Sequence, residues 1–227
     1  MLKKFSTETF LDIHLKRLNK IKSIDGVICA IAKEKGNEKI IEIAKKNKCL
    51  IFIGSTKNVL NRILKAGLKF KADILLRVTS DCPLIDPQVC ERIIQKIIKG
   101  KYDYVSNNLS PSFPHGLDCE AFKLKCLIDT KKEFIKTKDK NIKEHVTFGI
   151  KKNPKYKKYN LNSNISLSRY ERWTLDNKID LKFFRKLSKY IDKKDIIDLN
   201  WLDILKIINS NKELQNINNT THHFWFE

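Results

Sequence analysis

Two aspartates that follow strand-like segments are the residues best suited to holding a metal ion. Asp81 lies in the stretch Arg77–Asp86, directly after the apolar run 72–76, and ligands of open α/β sheets bind beyond the carboxyl ends of strands. Asp176 also follows a short apolar segment, Arg172–Leu175, and precedes a predicted helix. Mg²⁺ takes one or two protein carboxylates and completes its shell with water and phosphate oxygens. Asp81 and Asp176 therefore indicate metal-assisted phosphoryl or nucleotidyl transfer, unless each merely caps a turn or a helix.

The elements that must position these aspartates alternate between strand and helix through the first 110 residues. This alternation is typical of a parallel sheet in an α/β fold. The predicted strands are 26–32, 49–53, 73–78 and 102–107, and helices begin near Ser6 or Thr7, at Asn37, at Lys57 and at Pro87. Asp86 is the predicted N-cap of the last of these helices and Pro87 its first residue.

The second half of the sequence is less regular. We expect strands near 118–122, 157–161 and 172–175, and helices near 124–136, 143–152, 178–191 and 201–208. The residues after 208 are rich in Asn and are predicted to be loose. The predicted organisation is one domain over residues 1–208 and a loose tail over 209–227.

Composition excludes several classes of protein. No apolar run reaches the roughly 18 residues of a membrane span, and the N-terminal residues lack the apolar core of a signal peptide, so we expect a cytoplasmic protein without a membrane partner. The six cysteines are scattered singly, which predicts neither a zinc site nor a disulfide framework.

The formal net charge of +20 raises the question of nucleic-acid binding. Only seven of the 46 basic residues are arginine, and lysines recur along nearly every predicted helix instead of forming one aromatic-studded patch. We expect no specific nucleic-acid partner. The charge favours anionic substrates such as nucleoside triphosphates by electrostatic steering.

Five segments, in order along the chain, resemble the sugar cytidylyltransferases. The resemblance is greatest to the spore-coat polysaccharide biosynthesis branch, which is related to the acylneuraminate and Kdo cytidylyltransferases. The segments are Gly54–Arg62, Arg77–Asp86 with Asp103–Asn108 after it, Pro114–Phe122, Lys143–Thr147 and Arg172–Leu181. One such segment alone is weak evidence, whereas five in the family's order indicate membership.

The resemblance implies a glycosyltransferase-A-like nucleotide-binding fold, with three α/β/α layers and a mainly parallel mixed sheet. It also implies transfer of CMP from CTP to a sugar or sugar acid, with Mg²⁺ or Mn²⁺ as the cofactor, and related enzymes are often homodimers. By this resemblance the catalytic and metal-binding residues are Asp81 and Asp176. The nucleotide-binding residues are Gly54, Val59, Arg62 and Arg77, and those beside the sugar are Gly116, Asp118, Glu120 and His145.

Each assignment has a structural alternative. Val59 could pack in the core, Arg62 could lie on an exposed helix face, and His145 could be a hydrogen-bonded structural histidine. Glu120 could simply form an ion pair with Arg172.

The sequence also departs from the family. Sugar cytidylyltransferases begin with a strand and a phosphate-binding loop resembling Gly-Ser-x-Arg-Leu-Pro-x-Lys, and no such segment occurs here. We therefore expect an N-terminally truncated fold with exposed strand edges and impaired or absent activity. Two other functions stay open: a non-catalytic nucleotide-binding, sugar-binding or partner module, and a glycosyltransferase. The glycosyltransferase is disfavoured because Ser80–Cys82 holds one carboxylate where an Asp-x-Asp would hold two.

Overall fold

The computed structural model describes residues 1–137, 140–167, 171–191 and 195–217. The helices are α1 (Phe10–Leu18), α2 (Glu38–Lys46), α3 (Val59–Lys69), α4 (Pro87–Lys99), α5 (Leu124–Thr137), α6 (Lys140–Glu144), α7 (Phe148–Lys152), α8 (Lys178–Leu187), α9 (Trp201–Asn209) and α10 (Lys212–Ile217), with a 3₁₀ turn at Asp195–Ile197. The strands are β1 (Ile28–Ala32), β2 (Leu50–Gly54), β3 (Ile74–Arg77), β4 (Tyr104–Ser106), β5 (Glu120–Lys123) and β6 (Lys158–Asn160).

Local capping chemistry sets where several helices begin. Asp86 caps α4 as predicted, because its Oδ1 accepts from the backbone N–H groups of Gln88 and Val89 at 2.7 and 3.0 Å. The cap of α1 is Thr9 and not Ser6 or Thr7, since Thr9 and Asp12 form a reciprocal capping box. In this pair an aspartate replaces the glutamate of the usual Ser/Thr-x-x-Glu pattern, and the sequence prediction did not recognise it.

The strands form two sheets. In the larger one the order is β3-β5-β4-β6; β5 runs antiparallel to both of its neighbours, and β4 and β6 are parallel. In the smaller one β1 and β2 are parallel, with Ile28 opposite Leu50 and Ala32 opposite Gly54. The smaller sheet is thus parallel and the larger one is mixed, as predicted for this α/β fold, but two of the three pairings described in the larger sheet are antiparallel, so that sheet is not mainly parallel.

Helices cover both faces of the larger sheet. Val105 and Ala121 point to one side and pack with apolar residues of α1, α4, α8 and α9. Tyr104 and Phe122, their neighbours along β4 and β5, point to the other side and pack with α3, α5, α6 and α7. Successive strand residues alternate between faces, so two short apolar strands supply both cores.

Strands β1 and β3 each have only one paired neighbour, and no ladder joins them within the described residues. Every residue of β3 and four of the five in β1 are only half-buried, although both strands are apolar apart from Arg77, whereas all of β4 is buried. In β2, the residues Leu50 and Ile53 are 44% and 48% exposed. The expected exposure of strand edges is therefore present at β1 and β3.

Three sequence predictions need correction. Residues 172–175 do not form a strand; a single bridge joins Arg172 to His115. The helix predicted over 143–152 is two helices, α6 and α7, separated by a turn at residues 145–147. Within the predicted loose tail, residues 212–217 form α10, because Leu214 is buried against the core; residues 218–227 lie outside the described residues.

Among the described helices, none combines the length and apolarity that crossing a membrane requires.

Candidate functional site

The loop after β3 and the segment before α8 meet, and each carries one of the two predicted catalytic aspartates. The backbone N–H of Leu175 donates to the carbonyl oxygen of Asp81 at 2.8 Å. On the other side of the loop, Nδ1 of buried His14 lies 2.9 Å from the carbonyl oxygen of Cys82. The polypeptide around Asp81 and the polypeptide around Asp176 are therefore held side by side.

The Cys82 thiol shows which carboxylates surround this junction. Burial raises the pKa of Cys82 well above its usual range, and the negative charges of Asp81, Asp118 and Asp176 raise it further. Three carboxylates from three different segments therefore act on one buried thiol. The sequence prediction paired only Asp81 and Asp176, with Asp118 assigned to the sugar.

Asp176 is oriented by a buried ion-pair network. Its Oδ2 accepts from Nη2 of Arg172 at 2.6 Å, and Arg172 also contacts both carboxylate oxygens of Asp180 at 3.0 Å. The side chains of Arg172 and Asp180 are 1% and 0% exposed, whereas that of Asp176 is 48% exposed. Asp176 thus points outward from a rigid base. The N-cap of α8 is Asn177, not Asp176.

Gly116 and Asp118 lie on a turn pressed against the segment before α8. His115 exchanges backbone hydrogen bonds with Glu171 and Trp173 at 2.8 and 2.6 Å. Gly116 has φ +109°, and a Cβ there would lie 2.6 Å from the carbonyl oxygen of Trp173. Its N–H donates to Oδ2 of Asp118 at 3.0 Å. Glycine is needed for this close approach, and the turn fixes the Asp118 side chain.

The donor set suits a hard cation. Carboxylate oxygens are the protein ligands that Mg²⁺ prefers, and it requires only one or two of them when phosphate oxygens complete its shell. Asp81 and Asp176 supply such oxygens from adjacent segments. No cluster of three or more His, Cys, Asp or Glu side chains with metal-ligand geometry occurs within the described ranges, so any ion here would need ligands from the substrate or water.

Glu120 is the centre of a second polar cluster. It lies on β5 opposite Arg77 of β3, whose Nη1 is 2.8 Å from its Oε2. Its Oε1 accepts from the hydroxyls of Tyr104 and Thr147 at 2.6 and 2.9 Å and pairs with Nζ of Lys151 at 2.7 Å. Burial alone would raise the pKa of Glu120, but Lys151 and Arg77 outweigh it and lower the pKa to about 2.

This cluster corrects one sequence alternative. Glu120 pairs with Arg77 and Lys151, not with Arg172, whose partners include Asp176 and Asp180. Arg77 and Glu120 were assigned to different substrates, yet they share one ion pair.

The remaining predicted nucleotide residues lie at the end of β2. A Cβ on Gly54 would lie 2.8 Å from Cγ of Arg62, so the two residues pack closely. Nη1 of Arg62 donates to the carbonyl oxygen of Ser55 at 2.6 Å, and burial and then neighbouring Arg77 lower the pKa of Arg62, against an opposing effect of Glu34. Val59 is half-buried and packs against the core; its role at the nucleotide stays a prediction.

His145 lies exposed on the turn between α6 and α7, outside both clusters. Sequence reasoning missed Lys151 and Asp180. Asp180 could have been found, because Asn177 and Asp180 have capping-box spacing. Nothing in the sequence distinguished Lys151 from the many other lysines.

Comparisons with known proteins agree with this architecture. Over 96% of its length the chain is 30% identical to the uncharacterized protein MJ1063 of Methanocaldococcus jannaschii, covering 87% of that protein. It is 23% identical to the spore coat polysaccharide biosynthesis protein SpsF of Bacillus subtilis, covering 94% of this chain and 88% of that one.

Solved structures match as well. A cytidylyltransferase from Leptospira borgpetersenii superposes with a TM-score of 0.88 at 26% identity, over 98% of this chain and 91% of that one. A CMP:2-keto-3-deoxy-manno-octonic acid synthetase complexed with CTP superposes with a TM-score of 0.57 at 10% identity, over 83% and 90% of the two chains, which shows a shared fold alone. The family model described as Cytidylyltransferase matches residues 1–213. The chain belongs to the cytidylyltransferase family.

Proposed function

We propose that the protein transfers CMP from CTP to a hydroxyl of a sugar or sugar acid, with release of pyrophosphate, to make a nucleotide sugar for a surface polysaccharide or glycan. Family membership supports the reaction class, and the polysaccharide role named for the Bacillus subtilis relative supports the pathway class. The observation that carries the proposal is the hydrogen bond from Leu175 to Asp81, because it places the two aspartate-bearing segments side by side.

Asp81 and Asp176 are the residues proposed to hold Mg²⁺ or Mn²⁺. A bound ion of this kind stabilises charge that develops on the phosphoryl oxygens. The chain's own contribution is preorganisation: Arg172 and Asp180 fix the Asp176 carboxylate from below, and His14 fixes the loop that carries Asp81. Fixed charges of this kind require little rearrangement when the substrate reacts.

A second candidate is a module that binds the nucleotide or the sugar without reacting it. It is favoured by the contact between Arg172 and Asp176, in which the cation already neutralises one of the two carboxylates. This candidate keeps the nucleotide pocket and predicts binding without pyrophosphate release.

Calorimetric titration of CTP with Mg²⁺ and with EDTA tests the metal assignment. We expect Mg²⁺ to strengthen CTP binding to the wild type and to have no effect on Asp81→Asn or Asp176→Asn. Asp73→Asn is the matched control, because Asp73 is exposed and precedes β3, whereas Asp81 follows it. Equal affinity for CTP in EDTA would refute the metal assignment.

Pyrophosphate release from CTP across a panel of sugars and sugar acids separates the two candidates. Release with at least one acceptor supports the transferase. Mg²⁺-dependent CTP binding without release from any acceptor supports the binding module.

A further inference from the structure

Two cations of the second cluster are held by one buried carboxylate and still face solvent. The Glu120 side chain is 3% exposed, whereas those of Arg77 and Lys151 are 27% and 33% exposed. The anion therefore lies beneath, and the two cations lie above it. In this respect the two cations differ from Arg172, which is itself buried on Asp180.

Glu120 itself has little capacity left for a substrate. A carboxylate offers about four acceptor positions, and here Tyr104, Thr147 and Lys151 contact one oxygen while Arg77 contacts the other. Burial, with the adjacent charge of Glu120, raises the pKa of the Tyr104 phenol far above its usual range, so Tyr104 remains a donor. Glu120 consequently acts on its neighbours and not on a sugar hydroxyl.

The two cations, by contrast, retain unused donors. Guanidinium has five N–H groups and ammonium three. Within the described residues, Arg77 donates from Nη1 to Glu120, and Lys151 contacts Glu120 and, at 3.3 Å, Oδ1 of Asn108. Several N–H groups remain for a ligand.

Arg62 is a further positive charge that acts on Arg77. It is close enough to Arg77 for that charge to lower its pKa, after the larger effect of burial. Its Nε is buried and has no hydrogen-bond partner in the part of the chain that the structure describes. Arg77 and Lys151 share the single carboxylate of Glu120, so the excess charge of this ion-pair cluster is positive.

We propose that Arg77 and Lys151 form an oxyanion-binding subsite, with Arg62 beside it, and that Glu120 is the positioning residue that holds both cations. The ligand is a group with two or more anionic oxygens: a phosphate of the nucleotide or the carboxylate of a sugar acid. The inference deepens the proposed function and rests on it for the identity of the substrates. It joins Arg77, expected at the nucleotide, and Glu120, expected at the sugar, in one subsite.

Binding titrations at fixed ionic strength with pyrophosphate, CTP, cytidine and glucuronate test the subsite. Lys151→Gln should weaken binding of the oxyanion probe about tenfold, the value of one charge-assisted hydrogen bond. Lys152→Gln is the matched control: it removes the same charge from the next residue of α7, which is exposed, and should change affinity by less than about twofold because solvent screens it. Unchanged melting temperatures show that the folds are intact.

The pattern of loss identifies the source of the oxyanion. Weaker binding of pyrophosphate and CTP with unchanged cytidine binding assigns the subsite to phosphate, and weaker binding of glucuronate alone assigns it to a carboxylate. If Lys151→Gln affects no probe more than Lys152→Gln does, the subsite is refuted.

The role of Glu120 is tested by whether Glu120→Gln strengthens or weakens oxyanion binding. If Glu120 merely screened the cations, Glu120→Gln would strengthen oxyanion binding by removing a negative charge. Positioning predicts weaker binding, because the two cations lose their common anchor. Tighter or unchanged binding by a folded Glu120→Gln protein overturns the positioning role, and if this variant does not fold, Lys151→Gln still decides the subsite.

Failure of this inference can be told from failure of the proposed function. Mg²⁺-dependent CTP binding, with no probe more affected by Lys151→Gln than by Lys152→Gln, would refute the subsite alone. Lys151-dependent binding of pyrophosphate or glucuronate without any CTP binding would refute the cytidylyltransferase proposal and leave the subsite.

Discussion

The buried histidine beneath the Asp81 loop should make the fold sensitive to mild acid. His14 on α1 is 3% exposed. Its pKa is lowered from 6.5 to about 4, mainly by burial and to a smaller extent by Arg17, although the Cys82 carbonyl and Asp81 act in the opposite direction. The folded state therefore takes up a proton on His14 less readily than the unfolded chain does.

The sign and size of the effect follow from linkage. Because the folded pKa is the lower one, the stability contribution is complete above pH 6.5 and is lost as the pH falls toward 4. The difference of about 2.5 pKa units, at about 1.4 kcal/mol per unit, corresponds to about 3 kcal/mol. The pKa of Glu120 is lowered from 4.5 to about 2, so its contribution is lost mostly at lower pH.

Urea unfolding of the wild type and of His14→Asn between pH 7.5 and 4.5 measures the pH-dependent contribution of His14 to the free energy of unfolding. The asparagine amide can donate to the Cys82 carbonyl in place of Nδ1 and does not titrate. It leaves a small cavity that lowers stability at every pH. The wild type should be the more stable protein at pH 7.5, and its advantage should shrink by most of the 3 kcal/mol by pH 4.5. A constant difference between the two free energies of unfolding would refute the reasoning.

Two further predictions concern stability. Gly116→Ala should lower the free energy of unfolding by at least about 2 kcal/mol, because it adds a clash with the Trp173 carbonyl to the strain of a positive φ. Gly36→Ala is the control for the strain alone, because Gly36 has φ +87° and open space around it. Equal losses of stability for the two variants in urea unfolding would argue against the clash. Arg17→Met should lower the free energy of unfolding by about 3 kcal/mol or more, because fully buried Arg17 donates to backbone carbonyls on two distant segments. The control is Arg92→Met, since Arg92 is exposed. Similar melting temperatures for both variants would contradict the expectation.

Sequence reasoning succeeded where local chemistry decides structure. Helix α4 begins at Pro87 and ends at Lys99 as predicted, because the Asp86 cap, the proline and the apolar spacing all act within one turn or one helix face. It failed at residues 172–175, whose hydrogen bonds go to His115 and to the Asp81 loop. Such partners are distant in sequence, so no local sequence pattern predicts them.

The candidate site, too, could be predicted from the sequence only in part. The aspartates could be found from their positions after apolar segments, and the structure brings those segments together; their metal-binding role stays a prediction. The link between Arg77 and Glu120 depends on the register of β3 against β5, and Lys151 reaches Glu120 from a separate helix. Strand register and helix docking are set by the tertiary packing of the whole domain, which a single sequence does not display.

The division of the strands into two sheets has a consequence for how the protein opens. No backbone ladder joins β1 to β3 in the described part of the chain, so the β1–β2 pair is attached to the rest by side-chain packing. Regions with few shared backbone hydrogen bonds open at a lower free energy than the whole domain. In native-state hydrogen exchange, the amides that β1 and β2 share should exchange together, through an opening that leaves the larger sheet and the Glu120 cluster protected. The β1–β2 pair would then be the protein's first cooperative unit to unfold.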